Sequence, residues 1–334
     1  MRVLFIGGTG TISAACVRAA IAAGHEISVL NRGSGRRPLP AEVREIVADI
    51  RDEDSTRAAL DAASLDTATF DVVADFLSFT PAHVATALRL VEGRAAQYIF
   101  ISSASAYDKP PRSLPVTEST PLRNPFWQYS RDKIACEDLL VGAYRDRALP
   151  VTIVRPSHTY DEGLLPTMGG WTDIARMRAG RPVVVHGDGT SLWTITHSDD
   201  FAVAFTGLLG RPEAIGEAYT ITGDHAPTWN QIYGWLADAA GAPEPRFVHL
   251  ASETIAAFQP DLGPGLIGDK AHSILFDNTK IRTLVPGFRT TITFDEGARR
   301  ILNHYDANPD LQAVDPELDA AFDRMVAHAD SAGA

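Results

Sequence analysis

Short apolar runs alternate with helical patterns along the first half of the chain. Val3–Ile6, Glu26–Leu30, Glu45–Val47, Asp71–Ala74, Tyr98–Ile101 and Val151–Val154 read as strands. Thr11–Ala23, Ser55–Ala62, a segment opened by Pro81 and reaching about Val91, and one from about Phe126 to Tyr144 read as helices. The strand runs are mostly continuous rather than alternating, which suits strands covered on both faces. Strands separated by helices of this length need crossover connections, so the pattern predicts an α/β fold built on a doubly wound parallel sheet.

After Arg155 the rhythm breaks. Gly- and Pro-rich connections, a short strand at Val183–His186 and a long segment from Ala251 to Ser273 predict a smaller, irregular α/β lobe, while Glu217–Thr222 reads as a strand able to return to the main sheet. The expected division is 1–156 with a returning segment at about 198–224, then 157–197 and 225–305 as the lobe. Residues 306–334 form a polar, acidic helical tail expected to be solvated.

Composition narrows the class. The chain has 334 residues, 45% of them hydrophobic, and is long enough for a sizeable core. Its net charge of −12 argues against a nucleic-acid partner, which usually meets a basic footprint. No run approaches the roughly 20 apolar residues of a membrane span, so a cytoplasmic protein is expected. Cys16 and Cys136 make no disulfide framework, and metal-ligand spacing is absent, so no metal is expected.

The first strand runs into "GGTGTIS", with Gly7, Gly10 and Ser13 at three-residue intervals where a helix opens. Such a turn lets backbone approach a pyrophosphate at a helix N-terminus, the signature of a Rossmann-type dinucleotide domain. Gly7, Thr9, Gly10, Thr11 and Ile12 are the expected contacts. At the end of the second strand, where an acidic residue would bind the adenosine ribose, stand Asn31 and Arg32, followed by Arg36 and Arg37. A guanidinium there suits a 2′-phosphate, so NADP is favoured over NAD. Asp49 and Ile50 are placed at the adenine edge, and Phe76 joins the cofactor-binding set.

Tyr129 and Lys133 lie four residues apart in a helical pattern and share a face. A nearby ammonium is expected to lower the phenol's pKa, and Lys133 can also hold the nicotinamide ribose. The run "YIFISSASAYD" releases serines at the C-terminal end of the fifth strand, the side on which such sheets bind ligands. A serine hydroxyl there can bond the substrate oxygen while Tyr129 transfers a proton.

With "GGTGTIS", "ISSASAY", "YSRDK", "VRPSHTY" and "HGDGTSLWTITHSDDFA" in place, the chain resembles the extended, epimerase/dehydratase-like branch of the short-chain dehydrogenase/reductase superfamily over nearly all of residues 1–300. The resemblance implies a catalytic set of Ser103, Tyr129 and Lys133, with Tyr107 as the tyrosine of the serine-rich run, and a homodimer as a possible assembly. The carboxylate pair of the family's sugar dehydratases falls on Ala104 and Ser105, which disfavours dehydration and decarboxylation. The family's usual Asn falls on His158, and an Arg used on diphosphates falls on Trp193. Ser105, His158 and Trp193 are the expected substrate contacts, and His197, Asp199 and Asp200 read as a helix start capped by Ser198 or Asp199.

The implied activity is epimerisation of a carbinol on a sugar or nucleotide sugar through a transient ketone. The alternative is an NADPH-dependent carbonyl reductase in biosynthesis. A non-catalytic dinucleotide-sensing or RNA-binding member is the third reading. In each enzymatic case the partner is a sugar-like small molecule.

Overall fold

The structure is a computed structural model describing residues 1–35, 37–63 and 70–332. In chain order the strands are β1 Arg2–Ile6, β2 Glu26–Asn31, β3 Arg44–Val47, β4 Phe70–Asp75, β5 Ala95–Ile101, β6 Val151–Pro156, β7 His158–Tyr160, β8 Val183–His186, β9 Ile195–His197, β10 Ala218–Ile221 and β11 Phe247–Leu250. The first eight helices of regular length are α1 Thr11–Ala22, α2 Glu53–Ala63, α3 Pro81–Val91, α4 Gln128–Arg147, α5 Trp171–Arg178, α6 Ser198–Leu208, α7 Trp229–Ala239 and α8 Ser252–Phe258. Helices at Thr279–Leu284, Phe294–Ala307 and Pro316–Ala332 follow.

Seven strands pair in the order β10-β6-β5-β4-β1-β2-β3, every neighbour parallel. Alternate residues of one strand serve opposite layers, as strand geometry requires. Val3 and Phe5 pack with Val17 of α1 and Phe205 of α6, whereas Leu4 and Ile6 pack with Leu88 of α3 and Leu140 of α4. Cys16 and Cys136 are buried free thiols, one in each of these layers. The chain order reverses between β1 and β4, and a doubly wound sheet binds ligands at the C-terminal edge beside such a switch.

The segment at Glu217–Thr222 does return, as β10 on the outer edge beside β6. The remaining elements build the lobe around Trp171, Trp193, Trp229 and Phe294. The expectation of a solvated tail is corrected. In the helix Pro316–Ala332, Ala321, Phe322 and Met325 are fully buried against Val184, Ile255 and Leu266. Burying each large side chain contributes about 1.5–3 kcal/mol, enough to dock a helix whose other faces stay polar. No helix among the described residues is long and apolar enough to cross a membrane.

Candidate active site

A cavity of about 750 Å³ runs along the C-terminal ends of β1, β2, β4 and β5. Gly7 sits at its head with a φ of +82°, and a Cβ there would meet Leu77 at 2.7 Å, so both conformation and space demand glycine. Ser13, in the third small position, accepts the Gly10 amide at 3.0 Å and caps the turn. Thr9, Thr11, Ile12, Asn31, Arg32, Asp49, Ile50 and Phe76 all line the cavity with Gly7 and Gly10. Asn31 uses its Oδ1 to accept the Gly33 amide, which leaves a buried Nδ2 with no partner at the cavity wall. That orphan donor, the glycine turn and the cavity's length fit a dinucleotide.

The basic loop divides its labour. Arg37 is committed to a bidentate pair with Asp161, one arm at 2.9 Å, which straps the loop to the segment after β7. Arg36 lies outside the described residues. A cation that the sequence reading missed, Arg51, lines the same rim as Arg32. Burial pushes the Arg51 guanidinium below the usual arginine range, Asp75 and Asp49 oppose this, and Arg32 adds to it. Two guanidinium groups that repel across a rim make a natural seat for an anion.

The serines leaving β5 face three different surroundings. Ser102 bonds Glu137 of α4, which is also held by Arg155 at 2.5 and 3.0 Å; Arg155 reaches Tyr107 Oη at 3.0 Å, and Tyr107 bonds Thr220 of β10 at 2.6 Å. This buried network pins α4 to β6 and β10. Ser103 lines the cavity together with Tyr129 and Lys133, and its hydroxyl lies close enough to the phenol to lower the Tyr129 pKa. Ser105 accepts a hydrogen bond from Ser130 at 2.8 Å and lies 2.9 Å from Ser103 Oγ. The Ser130 proton points into Ser105, which leaves the Ser105 proton free to run to Ser103, although either hydroxyl can donate across that contact. The Ser105 amide fills a second acceptor direction on Ser103 at 3.2 Å. A hydroxyl has one proton and two acceptor directions, so when Ser105 donates, Ser103 keeps its own proton for a ligand in the cavity. Replacing Ser105 by Ala is therefore expected to lower kcat about tenfold with little change in substrate KM. Ser130→Ala should give a smaller loss in the same direction, and a steady-state comparison of the two variants checks this.

Lys133 is buried, donating to the carbonyls of Ser78 and Ile101 at 2.7 Å each. Burial lowers its pKa to about 8, with the nearby Asp75 carboxylate opposing. Asp75, also missed in the sequence, is buried and accepts from Ser78 Oγ and Tyr98 Oη at 2.6 Å each. The expected lowering of the Tyr129 phenol is corrected. Burial raises its pKa, the neighbouring Ser103 hydroxyl lowers it, and the Lys133 ammonium stands 5.9 Å from the ring centre with two of its three protons held by carbonyls.

Asn124, unremarked in the sequence although Asn-Pro marks a turn, seats the helix that carries Tyr129. Its Oδ1 accepts the amides of Phe126 and Trp127 at 3.2 Å each, and its Nδ2 donates to the Ser105 carbonyl at 2.9 Å and the Gly268 carbonyl at 2.7 Å. One buried amide thus joins the serine turn, α4 and the lobe. His158 and Trp193 line a second cavity with Ser103, Ser105 and Tyr129, their rings 6.0 Å apart. Burial drives His158 down to about 3, with Lys270 adding to it, so its ring is neutral. The capping expectation at α6 needs a change of residue. The ring of His197 itself accepts the Asp199 amide at 3.1 Å, and Glu162 stands 3.5 Å from its other nitrogen.

The likenesses to known proteins agree with this geometry. The sequence model of the NAD dependent epimerase/dehydratase family matches residues 3–222. A 2′-dehydrokanamycin reductase from Streptomyces kanamyceticus is 32% identical over 248 residues, 73% of this chain and 68% of that protein. A chloroplast stem-loop binding protein of 41 kDa from Arabidopsis thaliana is 28% identical over 74% of this chain and 65% of its own. Among solved structures, UDP-glucose 4-epimerase from Bifidobacterium longum with NAD+ and UDP superposes with a TM-score of 0.72 at 20% identity, covering 93% of this chain and 99% of that one. An epimerase from Methanothermobacter thermautotrophicus reaches 0.76 at 16% identity, covering 93% and 94%. With a seven-stranded parallel sheet and a glycine turn at its switch point, this enzyme belongs to the NAD dependent epimerase/dehydratase family, within the extended short-chain dehydrogenase/reductases.

Proposed function

We propose that the enzyme is an NADPH-dependent carbonyl reductase, converting a ketone on a sugar-like small molecule to a secondary alcohol. The observation that carries this reading is the meeting of Ser103, Tyr129 and Lys133 on the cofactor cavity. Ser103, with Ser105 donating to it, polarises the substrate oxygen. Tyr129 gives its proton to that oxygen as negative charge develops there, and a phenol kept protonated by burial is ready to do so. Lys133 holds a positive charge beneath the phenol and offsets the phenolate that remains. The nicotinamide, when bound, supplies the hydride.

Reduction rather than epimerisation is supported by the basic rim. Arg32 and Arg51 suit the 2′-phosphate of NADPH, a cofactor that exchanges after each turnover, and the 2′-dehydrokanamycin reductase is a relative with that direction in its name. Epimerisation is the second reading, supported by the reversibility of the same proton transfer. The two separate cleanly. Loss of nicotinamide absorbance in step with product supports reduction, and turnover without net cofactor loss supports epimerisation. Arg51→Ala is expected to raise the NADPH KM about 10- to 100-fold, the worth of one charge-assisted hydrogen bond, and to change the NADH KM little. Equal effects on the two cofactors would remove the assignment of Arg51 to the phosphate.

A further inference from the structure

Beyond Tyr129 the cofactor cleft gives way to the second cavity, of about 350 Å³, less than half the 750 Å³ of the first. One group in its lining has no evident structural duty. Lys270 ends a π-helical turn, Leu266–Lys270, a distortion of the helical ladder that recurs at functional sites. Its carbonyl is held from three sides, by His186 Nε2 at 3.1 Å, Trp229 Nε1 at 3.3 Å and Ser191 Oγ at 3.4 Å. The peptide is fixed, and the side chain extends between two indoles, with Nζ 5.8 Å from the ring centres of both Trp127 and Trp193.

No carboxylate among the described residues forms an ion pair with Lys270. The adjacent Asp269 is taken by Lys109, whose fully buried ammonium lies 2.8 Å away. Asp269 lines the cavity beside Lys270 and is paired from behind by Lys109, which does not line it, so the three groups carry one net positive charge at this wall. Burial pushes the Lys270 ammonium below the ordinary lysine range, with Asp269 opposing and Lys109 adding to the shift, and a bound anion would relieve it. His158 is neutral and balances nothing. Its Nε2 and the Nε1 of Trp193 are buried without partners in the same wall.

We propose that this cavity selects a compact, single-ring carbonyl compound carrying one carboxylate, with Lys270 as its anchor. The proposal rests on the reductase reading and names its substrate class. Size and charge both bear on it. A nucleoside diphosphate sugar approaches a dinucleotide in bulk and brings two charges, whereas the cavity has less than half the room of the first and, among the described residues, one lining cation. A polyamine sugar would meet that cation with like charge.

Calorimetric titration of the NADP+-loaded enzyme tests the proposal with four probes: glucuronate, methyl glucoside, glucosamine and UDP-glucose. Glucuronate is expected to bind at least tenfold more tightly than the other three. Lys270→Met should remove that preference and Lys270→Arg should restore much of it. NADP+ binding in the same titration reports that each variant is folded, and the comparison of probes on the unaltered enzyme needs no variant. Equal binding of glucuronate and methyl glucoside, including none of either, overturns the proposal, as does tighter binding of glucosamine or UDP-glucose. The outcome is separable from that of the reductase reading. A neutral ketone reduced through Tyr129, with no preference for glucuronate, sinks the carboxylate anchor alone. A glucuronate preference abolished by Lys270→Met, with turnover indifferent to Tyr129→Phe, sinks the reductase alone.

Discussion

Tyr129→Phe is expected to lower kcat by about 10²- to 10⁴-fold, the usual worth of a positioned proton donor, while leaving NADPH affinity within about twofold. The substitution removes one oxygen from a ring that stays packed 4.9 Å from Trp127 and keeps its place on α4, so cavity shape is preserved. Ser103 keeps both of its contacts to Ser105, neither of which involves the phenol. What vanishes is the proton that must reach the substrate oxygen. A single-turnover measurement with bound NADPH isolates this step from product release. Retention of more than about a tenth of the rate would mean that another group or water supplies the proton, and Tyr129 would lose its assigned role.

The second large effect concerns stability. Arg155→Met should cost about 3–5 kcal/mol and lower Tm by about 4–7 °C, because it leaves the Glu137 carboxylate buried with Ser102 as its remaining partner. The pair sits between β6 and α4 with both side chains under a tenth exposed. Burial disfavours the Arg155 charge, and the bonds from Glu137 outweigh it and raise the guanidinium above its ordinary range. The double variant Arg155→Met with Glu137→Gln is expected to recover at least half of the loss, since it removes both charges and keeps a bond for Ser102. Thermal unfolding of the three variants checks the cycle. Additive losses would show that the two side chains do not act as a pair. The same network carries Tyr107 and Thr220, so the tyrosine of the serine-rich run is a strut between β5, β6 and β10 rather than a proton donor.

The comparison of Arg37 with Arg51 shows how far a linear reading reaches. The cluster after β2 announces a basic loop, and the sequence analysis placed its guanidinium groups together on the phosphate side. In three dimensions Arg37 turns away to Asp161, which lies 124 residues on, and the free rim position beside Arg32 is supplied by Arg51 from the loop after β3. Parallel pairing of β2 with β3 brings the two loops to one edge, and nothing local in "ADIRD" marks that outcome.

Strand and helix order in the first half, the parallel sheet, the glycine turn and the shared face of Tyr129 and Lys133 were legible from sequence alone, because each follows from periodicity or from backbone demands within a few residues. Only the tertiary structure decided which serine does what. Ser102, Ser103 and Ser105 are alike in the chain, and their duties are set by Glu137, Tyr129 and Ser130, partners 25 to 35 residues away on one helix. It also decided the proton affinity of Tyr129, where burial outweighs the Ser103 hydroxyl, and the docking of the C-terminal helix, whose three buried residues are too few to stand out in a polar segment. Local patterns record what the backbone must do next. Desolvation and hydrogen-bond direction depend on what the rest of the fold brings alongside.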